Sequence, residues 1–74
     1  MSLKARIEAV LFITAQALEV KDIAEILKEE EDVIEESLLE LIMDYSAREG
    51  ALEIDDENGY ILQVKQDYMD IVEQ

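Results

Sequence analysis

Apolar residues recur at helical spacing from the third residue onward. At about 100° per residue, Leu3, Ile7, Val10, Leu11 and Thr14 share one side, which predicts a helix over roughly Leu3 to Ala15. A short extended piece follows around Ala17 and Leu18. Val20, Ile23, Ala24 and Leu27 then mark a second, shorter helix ending near Lys28. The third helix is expected to start at Asp32, with Glu35 three positions on as in a capping box and Glu29, Glu30 and Glu31 at the favourable end of the dipole. Ile34, Leu38, Leu41, Ile42 and Tyr45 form its apolar stripe, and Gly50 is expected to stop it as a left-handed residue just past the end.

Beyond Gly50 the period changes. The stretch LEIDDENGYILQVK, Leu52 to Lys65, alternates like a β-hairpin. A two-residue Asn58-Gly59 turn would set Leu52 opposite Lys65 and Ile54 opposite Gln63, mixing apolar and polar side chains on one face. A three-residue loop, Glu57-Asn58-Gly59, instead pairs Ile54 with Leu62 and Leu52 with Val64. That register keeps one consistent apolar face and gives Gly59 the left-handed position it tolerates best. Ile61 is then the odd apolar residue on the outward face. After Lys65, Asp67 is placed to cap a further helical turn carrying Tyr68, Ile71 and Val72. The expected class is mainly α (α+β): a winged helix-turn-helix, three helices followed by a two-stranded hairpin wing, with the third helix where a DNA-reading helix would sit. Residues 1–66 are assigned to this domain, and 67–74 to the start of a helix or linker toward a second domain.

The chain has 74 residues, half of them hydrophobic, enough for one modest core. Six Lys and Arg face 20 Asp and Glu, a formal charge of −14 with no His to moderate it. Such a field favours basic partners and opposes anionic ones. The acids alternate with apolar residues instead of forming a long block, which argues for a folded chain. Without Cys there is no disulfide framework, thiolate metal site or cysteine nucleophile, and the expected setting is intracellular. The N-terminal twenty residues imitate a secretory signal, but Glu8 interrupts the approach to the apolar run and the run is too short to span a bilayer.

A DNA-reading helix needs Lys or Arg for phosphates and amide or guanidinium groups for base edges. The third helix offers Leu39, Met43 and Ala47 opposite its core stripe, flanked by Asp32, Glu36 and Glu40, with Arg48 the one cation near its end. The wing tip is Asp55-Asp56-Glu57, which repels a phosphate backbone. An apolar strip in an acidic frame has the character of a protein-contact surface. Its bland alternative is packing of Leu39 and Met43 against loops or the C-terminal segment. The first helix carries the same surplus, since Phe12 and Ile13 point away from its core face. Phe12, Ile13, Leu39 and Met43 are therefore the candidate interface residues, with a homodimer as the sharper reading and closure by the wing or second helix as the ordinary one. Catalysis is not expected. Ser37 and Ser46 have no His base, and no phosphate-cradling Gly-rich loop occurs. Carboxylates are abundant, but so small a domain scarcely provides a concave acid–base pocket. An EF-hand alignment on Asp56, Asn58 and Gly59 fails at Ile54 and Lys65, where carboxylates belong, so no metal or other cofactor is expected.

With these residues read, RIEAVLFITAQALEVKDIAEIL, centred on Ile7 to Phe12, resembles the opening of the segregation and condensation protein B family, and ENGYILQVKQDY resembles that family's first wing and its exit. The likeness covers essentially the whole chain. It implies the first of two tandem winged-helix domains, dimerising largely through this one and gripping the ScpA-like kleisin of the bacterial condensin-like SMC complex, and through it SMC. A non-catalytic role in chromosome condensation and segregation follows, in the nucleoid-associated cytoplasm, with no membrane and no direct nucleic-acid contact by this domain. Ala15-Gln16-Ala17-Leu18 stands where the family commonly has a Gly-Glu-Pro-Leu-like turn, and no Gly separates the second and third helices. The competing reading is a winged-helix transcription regulator that binds DNA through surfaces or partners outside this chain.

Overall fold

Helix α1 (Leu3–Thr14) begins at Ser2, whose Oγ accepts the Ala5 N–H at 3.1 Å. The computed structural model that shows this describes residues 1–73, with side chains as far as Ile71. Ile7 and Leu11 are buried on the predicted face, and the Thr14 hydroxyl donates to the Val10 carbonyl at 2.9 Å. The helix ends where Ala15 turns left-handed at φ 51°, its N–H returning to the Leu11 carbonyl.

Helix α2 (Val20–Leu27) opens at Glu19, whose N–H donates to the Asp22 carboxylate at 3.0 Å. This reaching back from the third helical residue is half of a capping box. The helix closes at Lys28, left-handed at φ 57°, and the Glu29 N–H then reaches the Ala24 carbonyl at 3.1 Å. The pattern is that of a glycine cap built without glycine.

Helix α3 (Glu31–Ala47) departs from the expected ends. It starts at Glu31, so Asp32 lies in the first turn and its carboxylate only accepts the Val33 N–H at 3.1 Å. The tight turn at Lys28 lets the helix start earlier than the better capping residue would dictate. At the other end Arg48 is already extended (φ −97°, ψ 147°), and its guanidinium lies 4.4 Å over the Tyr45 ring. Gly50 therefore does not terminate the helix, and its φ is not positive.

Strands β1 (Leu52–Asp55) and β2 (Ile61–Val64) pair antiparallel, Leu52 with Val64 and Ile54 with Leu62, in the expected register. Gly59 takes φ +87°. The wing is tied to the helices by Leu18, which exchanges backbone bonds of 2.9 and 2.7 Å with Tyr60. The extended Ala17-Leu18 piece thus acts as a third, one-residue strand.

The core joins Ile7 and Leu11 of α1, Ile23 and Ala24 of α2, Ile34, Leu38, Leu41 and Tyr45 of α3, and Leu18 and Ile54 from the bridge and wing. Only the inner end of the hairpin face is covered: Ile54 is buried, whereas Leu52 and Val64 stay exposed. Helix α4 (Gln66–Glu73) follows at once, and every described α4 side chain, Tyr68 and Ile71 included, is exposed. The expectation for Val72 lies outside the described side chains.

Candidate protein-contact surface

Helix α1 is apolar on two sides. Ile7 and Leu11 face the core, while Ala5, Ala9 and Phe12 line the wall of a surface groove completed by Leu52 and Leu62 of the wing, over Tyr45. Phe12 is 72% exposed and Ile13 beside it 78%. Neither is covered by the wing or by α2, so the ordinary reading of the surplus does not hold. Isolated exposed apolar side chains are common, but a large aromatic at the edge of an apolar groove is a contact surface in waiting.

The floor of the groove is held by Tyr45. Its hydroxyl donates to the Glu8 carboxylate, and its ring is buried. Burial, then the hydrogen bond to Glu8 and that residue's charge, push the phenol up to about 12, with Arg48 pulling weakly the other way. Tyr45 is thus a neutral donor throughout the physiological range, and it engages the one carboxylate lining the groove. Two features of this site escaped sequence reading. The Glu8–Tyr45 pair is separated by 37 positions and has no local signature. The contribution of Leu52 and Leu62 was accessible in principle, because the register places them on the same face.

Leu39 and Met43 occupy a second surface. They are 53% and 68% exposed on the side of α3 away from Ile34, Leu38 and Leu41, and neither lines the α1 groove. The four candidate residues therefore form two patches, not one. Among the described residues, neither neighbouring loops nor the C-terminal segment cover Leu39 and Met43. Around them Asp32, Glu35 and Glu36 have no cation within 4.0 Å among the described residues, whereas Lys4 is drawn to Asp44 at 2.9 Å and more loosely to Glu40 at 4.0 Å. The remaining ion pairs, Arg6–Glu29 and Lys21–Glu19, are also at the surface and contribute little to stability.

The wing tip adds to this negative face. Glu19, Glu31 and Asp56, with Lys21 as the one cation among them, line a shallow hollow beside Tyr60, whose phenol is raised by burial and by the charges of Glu35 and Asp56. Among the described residues no group of three or more acidic side chains is arranged to hold a metal ion, and no helix is long and apolar enough to cross a membrane.

Comparison with known proteins bears on the family and the fold. No curated protein sequence gives a significant match. The solved structure of a dimer of the ScpB N-terminal domain complexed with ScpA peptide matches with a TM-score of 0.84 and 25% identity, over 95% of this chain and 89% of that one. Residues 5–74 match the model of the segregation and condensation complex subunit ScpB. With three helices, a hairpin wing, a fourth helix after it and a family-model match over residues 5–74, the chain belongs to the ScpB family.

Proposed function

We propose that this chain is a non-catalytic subunit of a bacterial SMC–kleisin complex that dimerises, binds the ScpA-type kleisin and supports chromosome condensation and segregation at the nucleoid in the cytoplasm. The observation that carries this reading is the exposed Phe12–Ile13 pair beside the α1–wing groove in a domain too acidic for nucleic acid. The similar solved domain is a dimer complexed with ScpA peptide, which supports both partners. In this account Phe12 and Ile13 meet a second copy. Residues 1–66 form the winged-helix domain that carries the contacts, and residues 67–74 are assigned to the start of a helix or linker toward a second domain.

Kleisin binding is tested by titrating purified ScpA-type kleisin into the chain in a calorimeter while following mass by light scattering. A saturable complex containing two copies of this chain is expected. A folded chain that gives neither heat nor a mass increase contradicts the proposal.

A further inference from the structure

We propose that the exposed face of α3 is the docking surface for an amphipathic segment of the kleisin whose apolar side chains are flanked by Lys and Arg. This rests on the kleisin-binding reading above and adds where the partner sits and what chemistry it carries. Leu39 and Met43 stand one turn apart on the face opposite the core stripe, 53% and 68% exposed, at the spacing by which one helix face anchors an apolar segment. Asp32, Glu35 and Glu36 frame them without a cation within 4.0 Å among the described residues.

The charge decides the occupant. A second copy docked on this face would set carboxylates against carboxylates in a chain with 20 acids and only 6 bases. A nucleic-acid backbone meets the same repulsion. The α1 groove differs, because its lining is apolar except for Tyr45 and Glu8, which already bond to each other. The two patches therefore suit different partners: the groove a like-charged copy, the α3 face a basic one. They also respond to salt in opposite senses. Screening relieves repulsion between copies and tightens the dimer, but weakens attraction between the acidic frame and a basic segment.

The test is fluorescence anisotropy with labelled ScpA-type kleisin and the full chain at about 50 and about 300 mM salt, bracketing the range over which screening changes most. Leu39→Ser with Met43→Ser is expected to weaken binding about tenfold or more, as loss of a central anchor does. Glu35→Gln with Glu36→Gln is expected to weaken it severalfold at low salt and flatten the salt dependence, with dimer mass and circular dichroism unchanged. The Gln pair guards against a misfolded Ser pair. Parent-like affinity in both folded variants, or parent binding that strengthens with salt, overturns the inference while leaving kleisin binding intact. No binding by the dimeric parent overturns the proposed function itself.

Discussion

Gly59 is the residue on which the wing turns. Its φ is +87°, and a Cβ there would stand 3.1 Å from the Leu18 carbonyl oxygen, an atom already accepting the Tyr60 N–H at 2.7 Å. Gly59→Val should therefore destabilise the fold by about 2 kcal/mol or more, from left-handed strain and displacement of the bridge together, read as a lowered urea midpoint. An unchanged midpoint would mean that the turn accepts a side chain. Lys28 shows the reverse case, a residue with Cβ held at φ 57°. Left-handed strain of about 1–2 kcal/mol less the entropic cost of glycine makes Lys28→Gly stabilising by up to about 1 kcal/mol. Tyr45 gives a pH signature. Folding raises its phenol to about 12, so that share of stability is full below the unfolded value near 10 and is lost as pH rises from about 10 to about 12. Lys4, raised by its hydrogen bond to Asp44 and that residue's charge, acts in the same direction. Tyr45→Phe should cost about 1 kcal/mol at neutral pH and make the alkaline loss shallower, as measured by urea unfolding across that range.

At the scale of elements, the hairpin was the most legible part of the chain. Side-chain period two leaves only one register that keeps Ile54 and Leu62 together, and the turn chemistry of Asn58-Gly59 agreed with it. The helices were legible in their interiors and not at their ends. Asp32 is the better capping residue on intrinsic grounds, but the left-handed turn at Lys28 starts α3 at Glu31, so tertiary closure overrode propensity. Gly50 was a plausible stop signal. The chain had already turned at Arg48, where stacking on Tyr45 links the helix exit to a ring buried between helices. That coupling is long-range and leaves no local pattern. The wing also yields a prediction: replacing Asp55, Asp56 and Glu57 with Lys should raise nonspecific duplex binding above that of a non-binding parent in an electrophoretic shift at physiological salt. A parent that shifts duplex as readily as the variant would overturn the electrostatic reading of the wing.

For the whole molecule, sequence reading found the surplus apolar residues but not their grouping. Helical wheels show that Phe12, Ile13, Leu39 and Met43 leave the core faces, and all four are exposed. Their division into two patches depends on how α1, α3 and the wing are set against one another, which no single-helix period contains. The proposed dimer rests on the Phe12–Ile13 patch bringing two copies together. Burying these side chains contributes about 1.5–3 kcal/mol each, against a repulsion that salt screens beyond about 8–10 Å. Sedimentation equilibrium on the parent and on Phe12→Glu with Ile13→Ser, each checked for folding by circular dichroism, decides the point. The expected result is a dimer that tightens with added salt and a folded, monomeric double variant. A parent that is monomeric at high micromolar concentration, or a folded double variant that remains dimeric, would contradict it.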